Sequence, residues 1–213
     1  MLLFLTPAFG AGQVRPAASL PASIPLFPLP DATLFPNSTQ PFHIFEPRYR
    51  AMIADALAGD SIIGMVTLQP GFESDYDGRP PVYEVGCAGV IVASEQLADG
   101  RYNILLKGIT RFRILDEDQG HLYRLADVES IEEAPADVEV LSQRRKQLEA
   151  AVLSAFPGAR LPDVESDEEM IDALALAVPL EPEERQRVLE AEGPLERAAA
   201  LISFLRARGS STI

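Results

Sequence analysis

Residues 83–115, YEVGCAGVIVASEQLADGRYNILLKGITRFRIL, decide the reading of the fold. Two apolar runs rich in β-branched and aromatic residues flank Asp99-Gly100. An Asp-Gly pair between such runs is a strong hairpin signal, because glycine accepts the positive φ of a tight turn. The first run predicts a strand over residues 83–95, with bends or bulges at Gly86 and Gly89. The second predicts the partner strand over 102–107, an interruption at Gly108, and a continuation over 110–115. A lone hairpin is unstable in water, so further strands are required on both sides of it.

Upstream, the unbroken apolar run at 62–68 reads as a strand buried on both faces. Residues 23–27 and 40–44 read as two short strands. Pro25 lacks a donor, so the first of these is expected at a sheet edge or broken. Between them, Leu34-Phe35-Pro36-Asn37 reads as a turn. Pro47 suits a first helical turn, and Tyr49, Met52, Ile53, Ala56 and Leu57 follow at helical spacing, which predicts a helix over 47–58 with Gly59 as its C′ residue. Residues 69–81 form a long loop, and 123–130 the last strand. A sheet of six or seven strands is expected to close on itself so as to hide its edges.

From residue 138 the period changes from two to 3.6. A helix is expected over 138–155, stopped by Pro157-Gly158. Ser166-Asp167-Glu168-Glu169 is a capping box that opens a second helix to about Ala177. Pro182 opens a third, ending near Gly193, and Pro194 a fourth, with Gly209 as its cap. The reading is α+β: about six strands and one helix, then a bundle of about four helices. The expected division is a leader over 1–22, a β-rich unit over 23–133, a helical bundle over 134–208 and a tail over 209–213.

The formal net charge is −14, with 18 Lys and Arg against 32 Asp and Glu. Such a balance repels phosphate backbones and argues against nucleic-acid binding. Arg111 and Arg113, with Lys107 nearby, are the closest approach to a basic cluster, and they fall in a strand where alternate positions face water. Met1-Leu2-Leu3-Phe4-Leu5 is apolar but too short, and lacks the preceding positive charge, for a secretory signal. No stretch approaches the length of a membrane span. With one cysteine, Cys87, no intramolecular disulfide is available, and a reducing, cytoplasmic setting is expected.

Signatures of chemistry are scarce. Neither G-x-x-x-x-G-K-[ST] nor G-x-G-x-x-G occurs, nor H-E-x-x-H, nor a G-x-S-x-G elbow. The two lysines, Lys107 and Lys146, fall on polar faces and are poor partners for a nucleophilic serine. One cysteine cannot build a thiolate zinc site. Glu73, Asp75 and Asp77 lie together in the long loop without the rest of a calcium-loop pattern, and read as a solvated acidic segment. Cys87 reads as a small core residue. No catalytic residue, cofactor or metal is expected.

Two ordered stretches carry a family resemblance. One is Ile24-Pro25-Leu26-Phe27-Pro28-Leu29-Pro30, then Leu34-Phe35-Pro36, then Phe42-His43-Ile44-Phe45-Glu46-Pro47-Arg48-Tyr49-Arg50-Ala51-Met52. The other is residues 100–114, from Gly100 through Lys107-Gly108 to Arg111-Phe112-Arg113-Ile114. Both resemble the N-terminal substrate-binding domain of Lon proteases, a domain type also found in cereblon. The resemblance extends over about residues 23–208. It implies a PUA-like β-barrel followed by a helical bundle, and a role in recognising protein substrates. The 213 residues hold neither an ATPase module nor a Ser–Lys protease module, so a non-catalytic protein- or peptide-binding module is expected, acting as an adaptor or holdase in protein quality control.

The expected partners are unfolded client proteins or peptides, a separate Lon-type protease, and a second copy in a homodimer; no membrane partner is expected. The alternatives are an RNA-binding barrel and a hydrolase without a recognised motif. Among the motif residues, Phe35, Phe45, Glu46, Arg48, Tyr49, Gly108, Arg111 and Phe112 are expected to be structural. Phe27, Phe35, Phe42 and Phe45 are assigned to the core, Glu46 and Arg48 to the helix start, and Arg111 to a carboxylate partner in the barrel wall. Phe72 and Tyr76, in the long loop with no strand pattern to bury them, are the candidate peptide contacts.

Overall fold

The computed structural model describes residues 20–72, 78–118 and 120–210. Six strands are formed: β1 (Ser23–Leu29), β2 (Thr39–Ile44), β3 (Ile62–Thr67), β4 (Val85–Gln96), β5 (Tyr102–Asp118) and β6 (Arg124–Ile131). Helix α1 (Pro47–Ala58) lies between β2 and β3, and α2 (Val138–Ala155), α3 (Asp167–Ala177), α4 (Pro182–Glu190) and α5 (Pro194–Ser210) follow the strands. The strand order is β2-β5-β4-β3-β1-β6, and β6 pairs back onto β5. The ladder β5-β4-β3-β1-β6 therefore closes on itself, with β2 added on the outside of β5. The mixed α+β architecture is as the pattern predicts.

The closure depends on the length of β5. Residues 102–107 pair with β2 while residues 111–118 pair with β6, so one strand serves two neighbours along the same edge. Gly108 does not interrupt it. At that position the backbone of the 35–38 turn comes down onto the strand: Asn37 N donates to Gly108 O at 3.0 Å and Gly108 N to Ser38 O at 2.9 Å. A Cβ on Gly108 would lie 2.1 Å from Phe35 O, so the glycine is there for close approach and not for a break. The expected bulge at Gly89 is present, as a register shift between Ala88 and Gly89. Gly86 is not at a shift; the Phe112 ring and the Met65 carbonyl occupy the space a side chain would need.

β1 is neither broken nor a free edge. Residues 23–26 pair with β6 and residues 26–29 with β3. Each half is thus paired along one side only, which accommodates Pro25 and Pro28 without disrupting a two-sided ladder. Helix α1 begins at Pro47 and ends at Ala58, but the positive φ that closes its C-terminus belongs to Ser61 (φ 59°), while Gly59 has φ −110°. Ser61 N and Gly59 N both donate to Ala56 O, so the chain turns two residues later than expected. In α3, Ser166 Oγ accepts from Glu169 N at 3.1 Å, and Glu169 in return accepts from Glu165 N, one residue before the cap. Helix α5 continues through Gly209 to Ser210, so that glycine does not terminate it.

Two buried apolar clusters explain why β3 is buried on both faces. Ile62 and Val66 point into the closed sheet with Ile24, Leu26, Phe112 and Ala126. Ile63 and Met65 point outward into a second cluster that includes Phe35, Met52 and Leu106 and continues to Leu148, Ile171, Leu174 and Leu201 of the helices. The helices are thus packed on the outer face of the sheet through a continuous apolar layer.

Arg111 is the main polar tie between the two parts. It is 1% exposed, contrary to its placement on a water-facing position, and lies on the outer face of β5 under the end of α4. Its Nη1 donates to Leu189 O at 3.0 Å and also to Ala191 O, and its Nη2 donates to Glu192 O at 2.9 Å. Its Nε meets Glu133 at 2.8 Å. Glu133, just past β6, accepts also from Arg197 Nη1 of α5. Arg197 Nε stands 2.8 Å from Asp172 Oδ1 of α3, within ion-pair distance but not aligned as a hydrogen bond. Asp172 Oδ2 accepts from Asn37 Nδ2 at 3.0 Å. The series of charges runs from β5 through the post-β6 segment, α5 and α3 back to the 35–38 turn.

Candidate peptide-binding surface

The β2–α1 corner builds the apolar site. Along β2 the inward positions end at Ile44, which is 2% exposed. Period-two alternation then turns the next residue, Phe45, outward, where it is 60% exposed. This corrects the assignment of Phe45 to the core: the helix begins two residues later, and among the described residues no element covers that face of the corner. Phe42 is half-buried, while Phe27 and Phe35 are core. Phe27 is edge-on to both Phe42 (5.7 Å between ring centroids) and Tyr49 (4.8 Å). Together with Leu29 and Pro30, these rings and Phe45 bound a surface pocket of about 330 Å³. That size takes one or two side chains, within the range of small ligand sites.

A polar network supports the rim. The His43 ring stacks near Phe45, 6.4 Å between centroids. Asn103 Nδ2 donates to Glu95 at 3.1 Å, which leaves Asn103 Oδ1 to accept from His43 Nδ1 at 2.7 Å. His43 Nε2 then accepts from Arg101 Nη1 at 3.2 Å, and Arg101 is in turn paired with Asp99 at 2.6 Å. The imidazole plane, and the stacking surface it offers Phe45, are held from both nitrogens. At the floor, the Arg48 Nε–Glu46 carboxylate distance is 3.0 Å and the Arg48 guanidinium lies 4.6 Å from the Tyr49 ring centroid.

The other sequence candidates are dispersed. Phe72 is 43% exposed, in the loop whose base is closed by Gln69 N to Pro81 O. Tyr76, and the acidic residues Glu73, Asp75 and Asp77, lie outside the described residues. Phe35 and Phe112 are fully buried, and Gly108 and Arg111 serve the contacts described above. The aromatic pocket at the β2–α1 corner is hidden in the sequence, where Phe42 and Phe45 read as core. The signal that locates it is the phase of β2: counted inward from Ile44, Phe45 must face out.

Cys87 is fully buried, and burial pushes its thiol well above the usual range. Among the described residues, no group of three His, Cys, Asp or Glu is placed to hold a metal ion. Among the same residues, no helix is long and apolar enough to cross a membrane.

The Lon protease of Anaeromyxobacter dehalogenans is 28% identical over 196 residues, which is 87% of this chain and 23% of that protein. Lon protease 2 of Myxococcus xanthus is 28% identical over 181 residues, 80% of this chain and 22% of that protein. The chain therefore spans roughly a quarter of the length of these curated relatives. A Lon N-terminal domain protein from Xanthomonas campestris superposes with a TM-score of 0.63 at 23% identity, covering 85% of this chain and 98% of that one. The N-terminal domain of a Mycobacterium avium complex Lon protease gives 0.64 at 20% identity, covering 86% and 98%. Residues 23–207 match the family defined as the ATP-dependent protease La (LON) substrate-binding domain, and the chain belongs to that family.

Proposed function

We propose that this protein is a non-catalytic polypeptide-binding module that takes an apolar side chain of an extended or unfolded segment into the pocket at the β2–α1 corner. The observation that carries the reading is the exposed Phe45 on the rim of an aromatic pocket. A large ring left in water beside an apolar hollow is what an unfolded polypeptide covers. Phe72, exposed on the long loop, is a second contact for the same client. The family's designation as substrate-binding supports the reading, and the net charge of −14 disfavours nucleic acid as the client. Adaptor or holdase action, delivery to a separate Lon-type protease and a homodimeric form are the wider roles proposed with it.

The test is fluorescence anisotropy with a labelled, permanently unfolded carboxymethylated polypeptide. Phe45→Ser lowers affinity about tenfold, equivalent to ~1.4 kcal/mol, while the thermal midpoint is unchanged because the ring is already in water. Phe72→Ala gives a smaller loss. Binding that is absent in the wild type, or unaltered by both substitutions, refutes the proposal.

A further inference from the structure

Strand β2 lies outside the closed ladder, and among the described residues only β5 pairs with it. The phase of that pairing fixes what its other edge offers. Gly108 N donates to Ser38 O at 2.9 Å, and the register continues from Thr39 opposite Lys107 to Ile44 opposite Tyr102. Hydrogen-bonded and non-hydrogen-bonded pairs alternate along an antiparallel ladder. With the Ser38 carbonyl turned to β5, the backbone groups of Gln40, Phe42 and Ile44 face β5 too, and those of Thr39, Pro41 and His43 face away. Pro41 fits that phase, because it has no N–H to give to β5. The open edge therefore offers the carbonyls of Thr39, Pro41 and His43 and the N–H groups of Thr39 and His43. All three residues are exposed.

The edge runs into the aromatic pocket. Phe42, His43, Ile44 and Phe45 line that pocket together with Leu29 and Pro30 at the end of β1. Residues directly opposite each other on paired strands point their side chains to the same face. A residue opposite Phe42 on an added strand thus directs its side chain to the face where Phe42 meets Phe27, 5.7 Å between ring centroids. In an antiparallel pairing the N–H of that residue turns away from β2, and its two neighbours donate to the Pro41 and His43 carbonyls. In a parallel pairing these roles exchange. A second copy of the chain suits the edge less well. Two β2 strands laid edge to edge in full overlap set Pro41 against Pro41, where neither residue donates.

We propose that the client polypeptide binds as an added strand on the open edge of β2, its backbone hydrogen-bonded to Thr39, Pro41 and His43, with one apolar side chain beside Phe42 in the aromatic pocket. The inference rests on the polypeptide-binding reading above and specifies the form in which the client is held. Main-chain pairing is indifferent to sequence, and one pocket adds a preference for a single apolar residue within the paired stretch. Such an edge selects unfolded segments, because the backbone groups of a folded chain are already paired.

The experiment is an anisotropy titration of the full-length protein with the labelled, end-blocked peptide Lys-Thr-Val-Phe-Val-Thr-Lys and with versions N-methylated at one inner residue each. A methyl on a nitrogen that faces β2 removes a donor and holds the strands apart, and is expected to weaken binding about tenfold. On a nitrogen that faces away it is tolerated. The loss therefore alternates along the peptide. Loss at the two Val positions with Phe and both Thr tolerated marks an antiparallel strand, and the opposite phase a parallel one. In the protein, His43→Pro removes an outward donor without touching the β5 ladder, and should bind the unmethylated peptide about tenfold more weakly than His43→Ala. The peptide series is read in the wild-type protein and does not depend on how either variant folds. Binding without alternation overturns the added strand and leaves the aromatic pocket standing. No binding of the unmethylated peptide overturns both. A wild-type dimer in sedimentation that His43→Pro dissociates and His43→Ala does not assigns the edge to a second copy and overturns the proposal.

Discussion

The guanidinium of Arg111 sits where the last carbonyls of α4 have no partners within their own helix. The Leu189 carbonyl of α4 accepts from it, as do the Ala191 and Glu192 carbonyls just past the helix end, and a cation at a helix C-terminus is also favoured by the helix dipole. Arg111→Ala strips the buried Leu189 and Ala191 carbonyls of their side-chain donor and leaves Glu133 with Arg197 alone, and should lower stability by about 3 kcal/mol, read as a fall in the urea midpoint. Arg111→Lys should recover little, because an ammonium cannot span the fork of acceptors. Gly108→Ala forces a methyl into the Phe35 carbonyl and should cost about 2 kcal/mol by the same measurement. Asp172 differs in sign. Burial raises its pKa from 3.8 to about 6, outweighing Arg197 and Asn37, which lower it, with Glu133 adding to the rise. The folded state therefore holds a proton that the unfolded state has lost between those values, and this group's contribution to stability falls as pH rises from about 4 to about 6. Asp172→Asn removes that dependence: the wild-type stability minus the variant's should decrease on going from pH 4.5 to pH 7, by on the order of 2 kcal/mol, in paired urea titrations.

Among the elements, those legible in the sequence are the ones set by their own residues. Helices α1 and α2 begin and end where their apolar spacing, the Pro47 start and the Pro157-Gly158 stop place them. The Ser166 cap of α3 is as local as its motif, and Ser166→Ala should cost about 1 kcal/mol, measurable as a small drop in the thermal midpoint. The Asp99-Gly100 turn closes the β4–β5 hairpin with Gly100 at φ 81°. The elements that differ from expectation are those whose form depends on a distant neighbour. β5 runs through Gly108 because the 35–38 turn docks there, and β1 tolerates its prolines because it changes partner midway. Gly59 yields the positive φ to Ser61, whose carbonyl accepts from Ile91 N at 2.8 Å, so the turn is fixed by strand β4 as well as by the helix end.

At the scale of the molecule, the outer face of the sheet and the helices share one apolar cluster. Damage in a helix is therefore expected to reach the barrel. Leu201 in α5 is fully buried, and Leu201→Ala should destabilise by about 3–4 kcal/mol. All five tyrosines lie between residues 49 and 123, outside the C-terminal helices. Their near-ultraviolet dichroism should therefore melt together with the far-ultraviolet helix signal, at the same lowered temperature in both. Separate transitions would mean that the shared layer does not couple the two parts.

The sequence by itself determined the order and kind of the elements, since period-two and period-3.6 patterning, Pro and Gly punctuation and side-chain caps act over a few residues. It also determined the family, through two long ordered stretches. The tertiary structure decided which polar and aromatic residues meet. Arg111 reads as half of an ion pair, and its carbonyl acceptors stay hidden because they lie 78 to 81 residues away, while Phe45 reads as core because a large ring beside Ile44 satisfies any apolar pattern. Whether such a ring is covered depends on where the next element packs, and that is fixed by the closure of the sheet around β5 and not by the residues on either side of the ring.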